Sequence, residues 1–558
     1  MNNSDILHTI ISDLKSRRLA LFCGAGISFN SNLPLVTNLL EYLYETLELD
    51  GAAINKMMNS GIPFEKVIET LLVESDIKEI KEIFAEGSPN SNHYLIARLA
   101  QNHVLNIIYT TNFDFLIEKA MKAIGMIEGV DFKVYATEDE LKNVKWQEET
   151  VKIIKIHGCA SKTEEMAITF GQLASSRYLH LRTDLLSQIF SGKLAKSVLI
   201  IGYSCSDFDL VPIIEKLREK SSNIYFIDHS RTNERTENVS VKDSNNPFKY
   251  YRGYRYIVDT DKFMRLLWDF AGPEYFASSF PVAARKNEWH EQIDKWYASN
   301  IEISGPAFKY HISSKLFYAI GELKDTIRLA AIAVEEGRKS KNWKAYAANL
   351  DIMGMAYSNL GVHKKALQCY ERATTVQSQL NDDYNLASIL QSYGNVLHSL
   401  QRDGEAIKKF TSALTISKKI KDLQLQSSIL GNMSNSYIAL QQDLLAQNFL
   451  TEAINLSRYT GDKQSESSQL GILANIHMKA GNYKIALKVL LDAMEIKRMI
   501  ADYNELCKLY LNITTIYFLL ENLSKARKTA NEGIVLSKKI GNRQLEAQII
   551  YAKMLYGI

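Results

Sequence analysis

Beyond residue 305 the chain repeats itself every 40 residues. Alanine stands at Ala366, Ala406, Ala446, Ala486 and Ala526, and a second series seven residues behind runs Ala333, Ala373, Ala413, Ala453 and Ala493, then Gly533. A large, mostly aromatic column falls at Phe317, Tyr357, Leu397, Tyr437, His477 and Tyr517, and an aliphatic one at Ile320, Leu360, Leu400, Leu440, Ala480 and Leu520. Chance does not produce four columns in register. A unit this short cannot bury an apolar face alone, so nearly half of the 558 residues must stack as an all-α solenoid.

Within one unit, LDIMGMAYSNLGVHKKALQCYERATTV, the pattern reads helix, turn, helix. The spacing of Gly354, Tyr357, Ala366, Tyr370 and Ala373 resembles the tetratricopeptide repeat, with extended helices implied by the long unit. Five repeats are clear and a sixth, near 305–342, is degenerate. In that family's frame the residue after the Gly354 column faces a concave groove; here it is Met355, Asn395, Asn435, Asn475 and Thr515. Asn395, Asn435 and Asn475 could form a ladder of amides holding an extended peptide through its backbone. The alternative is an ordinary wet polar face.

The first half alternates short β-like runs with helices, the pattern of a parallel sheet covered on both faces. RLALFCGAG, LNIIYTTNFD, VKIIKIHG, AKSVLIIGYS and SNIYFIDHS are the strands, and RYIVDTDKF adds one more strand leading into a closing helix. Ser4 is expected to cap a first helix with an apolar stripe of Ile6, Ile10, Ile11 and Leu14. RTNERTENVSVKDSNN, 231–246, is polar and aperiodic and reads as a surface loop. The division expected is 1–280 for an α/β Rossmann-like domain, 281–304 for a helical connector, and 305–558 for the repeats.

The chemistry gathers at strand ends. Gly24-Ala25-Gly26 closes the first strand, TTNFD (Thr110 to Asp114) the next, His157-Gly158 a third, and GYSCSDFD, with Gly202, Ser204, Asp207 and Asp209, a fourth. In doubly wound sheets ligands bind at this rim, and glycine turns leading into helices suit pyrophosphate. GAGIS, TNFD, IHG and GYS, in this order, resemble the sirtuins, and more closely the sirtuin-like domains of bacterial antiphage defence proteins. The resemblance covers about 15–275. It implies a Rossmann-like fold binding NAD+, with GAGIS (Gly24, Ala25, Gly26, Ser28) at the pyrophosphate. It also implies Asn112 and Asp114 on the nicotinamide-ribose side, His157 as catalytic base, and Thr111, Gly202 and Ser204 at the nucleotide. Asp228, ending the strand NIYFIDHS, is a candidate for the adenosine ribose.

Bland roles stand beside these. His157 could cap its strand, Asn112 could make an Asx turn, and Asp207 and Asp209 read as caps of the following helix rather than ligands. The cysteines beside the motifs, Cys23, Cys159 and Cys205, read as small buried residues.

Two departures narrow the reaction. FNSNLP follows GAGIS where classical sirtuins carry an acidic-aromatic-basic segment, and the five cysteines (Cys23, Cys159, Cys205, Cys369, Cys507) include no pair spaced to hold the family's zinc module. No metal is expected, and the acyl-lysine tunnel bordered by that module is in doubt. The resemblance therefore implies hydrolysis of NAD+ as a substrate, in an antiphage abortive-infection effector controlled by its repeats. A deacylase or ADP-ribosyltransferase, and a non-catalytic NAD+ or ADP-ribose sensor, are the alternatives. A protein or peptide ligand, a phage protein among the candidates, is expected in the groove, with homo-oligomerisation. A net charge of +3 gives no general attraction to nucleic acid or membrane. No apolar run reaches the ~18 residues of a membrane span, and MNNSDILHTIISDLKSRR has the wrong order of charge for a signal peptide, so a reduced cytoplasmic protein is expected.

Overall fold

The computed structural model describes residues 3–29, 31–160, 166, 176–205, 207, 209–217, 222–232, 234–240, 246–271, 289–499, 502–539 and 543–557. The expected boundary near 280 lies outside them.

Eight strands form one sheet: β1 (Leu19–Cys23), β2 (Ile107–Thr110), β3 (Phe132–Tyr135), β4 (Val151–Lys155), β5 (Ser197–Ile201), β6 (Asn223–His229), β7 (Arg235–Asn238) and β8 (Gly253–Val258). Their order is β3-β4-β2-β1-β5-β6-β8-β7, parallel throughout except for β7 on β8. Central strands are buried on both faces, which is why LALFC and SVLII read as near-continuous apolar runs, while VKIIK keeps two buried lysines, Lys152 and Lys155.

Two strands depart from expectation. β7 lies inside the stretch read as a surface loop; an edge strand needs only backbone pairing with β8, and its half-wet side chains carry no apolar alternation. β3 is a short edge strand of the same kind. Helix α1 runs Asn3–Lys15, so Ser4 lies inside it rather than before it, while Ile6, Ile10, Ile11 and Leu14 are buried as the stripe requires.

Between β1 and β2 the chain inserts five helices: α2 (Val36–Thr46), α3 (Gly51–Asn59), α4 (Phe64–Glu74), α5 (Lys78–Glu82) and α6 (Ser91–Gln101). In the span expected as a connector, Trp289–Ser304 is a helix whose fully buried Trp296 sits in one core with Leu43, Val67 and Ile80 of that insertion and Ile312 of the first repeat helix.

The repeats follow as helix pairs from Ala307–Ala319 with Leu323–Lys339 to Tyr503–Leu519 with Leu523–Lys539, then Arg543–Leu555. Both alanine columns have no exposed surface. Gly354 and Gly394 lie under the rings of Tyr370 and Phe410, where an added Cβ would sit at 2.7 and 2.6 Å. First helices of neighbouring repeats pack on one another, for example Asp383–Ser399 on Leu423–Ala439, which places them on the inner side of the curve. Among the described residues no helix is long and apolar enough to cross a membrane.

Candidate functional site

After β1 the chain turns one way to β2–β4 and later the other way to β5–β8, so the sheet's switch point lies at the carboxyl ends of β1 and its neighbours β2 and β5. Every motif singled out from the sequence ends a strand on this rim: Gly24–Ser28 after β1, Thr111–Asp114 after β2, His157 after β4, Gly202 and Ser204 after β5, and Asp228 in β6.

The glycines serve a tight crossing of two turns. Gly24 N donates to Ile201 O (3.1 Å) and Gly26 N to Gly202 O (2.9 Å). A Cβ on Gly24 or Gly26 would meet Gly202 O or Cα at 2.6 or 2.7 Å. Two N–H groups of the turn expected at pyrophosphate are thus spent on the end of β5 and the glycine that follows it. Gly202 has φ +63°, and a Cβ there would stand 2.6 Å from Ile27 N. Gly202→Ala is expected to cost ~1–3 kcal/mol, read as a lower urea midpoint at unchanged slope.

Behind this turn four side chains close a buried network. Ser28 Oγ donates to Asp114 Oδ2 (2.9 Å), and Asn112 Nδ2 reaches both Ser28 Oγ and Asp114 Oδ2 at 3.2 Å. Asp114 Oδ1 accepts from Leu116 N (3.1 Å), so both its oxygens are engaged, and it holds the turn and Asn112 in place. The fourth member, His93 on α6, was not legible as a site residue. Its Nδ1 accepts from Asn90 N (3.1 Å), which leaves the proton on Nε2 for Ser28 Oγ (3.2 Å). Burial pushes His93 down to about 4, keeping it neutral. Asn112 Oδ1 is buried without a partner among the described residues, an acceptor open to a further donor.

The second cluster centres on His157. Its Nε2 lies 3.1 Å from Asp209 Oδ2, which also pairs with Arg182 at 3.1 Å, all three nearly fully buried. Asp209 is therefore not a helix cap. The following helix, Val211–Lys216, has no side-chain cap, and the main-chain carbonyl of Asp207 accepts from Val211 N. Burial works against an imidazolium at position 157, but the facing Asp209 carboxylate overrides it and holds the His157 pKa above the ordinary histidine value. His157, Asp207 and Asp209 offer ligand atoms within 4.8 Å of one another, a spacing a cation accepts, and the Arg182 guanidinium already supplies positive charge there. Arg182 carried no motif to reveal it.

Other candidates sit at the margins. Ser204 is exposed, Thr111 half-buried with its N–H on Cys23 O (3.2 Å), and the Asp228 carboxylate is held by Arg255 at 2.6 and 3.0 Å. Cys23 is buried and its thiol pushed up to about 12, consistent with a packing role. Asn395, Asn435 and Asn475 lie in register on the inner first helices, exposed or half-buried.

A SIR2-like domain family matches residues 106–248 and a tetratricopeptide repeat family residues 345–419. The chain joins a SIR2-like domain to tetratricopeptide repeats. Curated relatives named NAD(+) hydrolase ThsA come from Acinetobacter baumannii, 27% identical over 220 residues (38% of this chain, 42% of the relative), and from Cytobacillus dafuensis, 25% over 219 residues (38% and 40%). The chain thus spans about two fifths of the length of these relatives. Solved structures similar to it include BtubC (BKLC) from P. vanneervenii, 18% identical with TM-score 0.36 (40% of this chain, 93% of that one), and aspartyl phosphate phosphatase F from Bacillus subtilis, 14% identical with TM-score 0.38 (48% and 74%).

Proposed function

We propose that the SIR2-like domain hydrolyses NAD+ at the nicotinamide–ribose bond, releasing nicotinamide and ADP-ribose. The observation that carries this reading is the placing, on one strand-end rim, of a carboxylate-paired histidine after β4 and a buried asparagine with an open acceptor after the neighbouring β2. The curated relatives named as NAD(+) hydrolases support it.

Cleavage leaves oxocarbenium-like charge on the ribose, and the incoming oxygen must lose a proton. With Nε2–H given to Asp209, His157 Nδ1 carries the lone pair that takes this proton, and Asp209 steadies the imidazolium that results. Asn112 Oδ1 orients the ribose or the attacking water. Asp114, Ser28 and His93 fix Asn112. The first test is nicotinamide release from NAD+ by purified protein, with and without an acyl-lysine peptide. Turnover that needs the peptide would point to a deacylase, and binding without turnover to a sensor.

A pH profile checks the His157–Asp209 pair. As a base His157 must be neutral, so activity rises with pH through its pKa. Burial lowers this pKa; Asp209→Asn removes the main carboxylate that raises it and leaves only Asp207 to oppose burial and Arg182. The acid limb of the rate profile is expected to move to lower pH, with a reduced plateau; an unmoved limb would separate Asp209 from the titrating group.

Depletion of NAD+ suits an antiphage abortive-infection effector, and the repeats are the regulatory half of this reading. Cells expressing the wild-type chain should lose NAD+ and arrest on phage challenge, whereas His157→Ala cells should not. The groove is proposed to take an extended protein ligand along Asn395, Asn435 and Asn475. Asn435→Ala with Asn475→Ala is expected to cut capture of that ligand at least tenfold in pull-downs.

A further inference from the structure

Helix α4 joins the candidate site to the repeats. At its start, Phe64 packs on Phe84 (6.3 Å between ring centres), Phe84 on Phe113 (5.5 Å), and Phe113 on the His157 ring (6.4 Å). Glu65, next along, is half-buried and feels Asp207, His157 and Asp209 electrostatically. At its end, Glu74 accepts from His311 Nε2 (2.8 Å) and pairs with Lys315, both on the first repeat helix, Ala307–Ala319. Trp296 Nε1 donates to Ser75 Oγ (3.2 Å) just beyond. Burial works against the Glu74 carboxylate, yet His311 and Lys315 hold its pKa down at about 2, so it is charged.

Lys315 also has a place in the repeat register. Positions 315, 355, 395, 435 and 475 are 40 apart, so Lys315 occupies in the first repeat the groove position that Asn395, Asn435 and Asn475 occupy further along. Glu74 is thus seated where a ligand's carboxylate would sit. Meanwhile the groups expected to meet NAD+ are covered: His157 is 4% exposed, Asn112 7% and Ser28 6%. A dinucleotide needs the packing around them loosened, and the Phe64–Phe84–Phe113 stack ties the packing on the His157 ring to α4.

We propose that α4 is a lid over His157, latched by Glu74 in the first position of the repeat groove, and that an acidic segment of a partner protein opens it by taking His311 and Lys315. This rests on the NAD+-hydrolase reading and adds its regulation and the chemistry of the partner. Charge complementarity decides the occupant: two donors that already hold one carboxylate will exchange it for another.

The test uses the full chain, with amide hydrogen exchange over residues 64–75 and nicotinamide release read in parallel. Glu74→Gln and Lys315→Met are each expected to speed exchange in α4 at least tenfold while β1 and β5 stay protected, and to raise NAD+ cleavage about tenfold. The double variant should match Glu74→Gln, because Lys315 acts on the latch only through the Glu74 carboxylate, whereas Lys315→Met alone keeps the His311–Glu74 bond. A synthetic deca-glutamate peptide should act on the wild type as the variants do, whereas deca-glutamine and deca-lysine should not; activation by either of those overturns the acidic-partner assignment. Unchanged α4 exchange in both single variants overturns the latch, whatever the cleavage rate. Faster α4 exchange with no NAD+ cleavage under any condition leaves the latch standing and overturns the hydrolase reading. Should Glu74→Gln unfold, Lys315→Met alone decides, since its side chain is partly exposed and its loss leaves the Trp296–Ser75 contact in place.

Discussion

Purified His157→Ala is expected to release nicotinamide from NAD+ about 10²–10⁴ times more slowly than the wild type, the usual worth of a positioned general base. The loss should appear in the maximal rate more than in the apparent affinity, because the imidazole acts on a proton in flight and not on the resting substrate. Residual cleavage is expected from what remains: Asn112 keeps its geometry through Ser28 and Asp114, which do not touch His157 in their hydrogen bonds. His157→Gln is the companion variant, since its amide can still donate to Asp209 but cannot take the proton. If Gln restores the rate, His157 only holds Asp209 and Arg182 in place; if it is as slow as Ala, the imidazole is the base. A wild-type rate in His157→Ala would remove it from the chemistry.

The sequence made the periodic half of this molecule plain because stacking repeats the same steric demand every 40 residues, and Ala366 or Ala406 answers it the same way each time. A second periodicity lies in the helix caps. The residues Asn342, Asp382, Asp422, Asp462 and Asp502 cap successive first helices, and left-handed turns precede four of them at Lys341, Asn381, Lys421 and Gly461. Polar caps are local signals and do not stand out from a polar surface. In the sheet domain, buried parallel strands announced themselves, while β3 and β7 did not, because edge pairing is made by backbone atoms that every residue carries. The site was half legible. Asn112, Asp114 and His157 sit at strand ends, where topology alone predicts convergence. Arg182, His93 and Glu65 reach the site from helices whose spacing to those motifs is set by tertiary packing, and no pattern in the chain encodes it. Asp209 shows the opposite case: a residue visible in the sequence and assigned to a helix cap, which burial turned inward to a histidine and an arginine.

The stability of the site is expected to depend most on a pair beneath it. Lys155, in the central strand β4, is 1% exposed, with Nζ 3.1 Å from Glu118 Oε1 and donating to the Asp114 carbonyl. Burial opposes an ammonium there, but Glu118 overrides it and holds the Lys155 pKa above its ordinary value. Removing one partner leaves a carboxyl deep in the core without a counter-charge. Lys155→Met is therefore expected to cost ~3–5 kcal/mol, seen as a drop in the denaturation midpoint. Lys155→Met with Glu118→Leu replaces the pair by apolar groups of similar volume and is expected to recover most of that loss. Cleavage of NAD+ should not recover with it. The Asp114 carbonyl still lacks its donor in the double variant, and that turn holds Asn112 in its buried network. A double variant that regains both stability and rate would mean that Lys155 neutralises a charge and positions nothing.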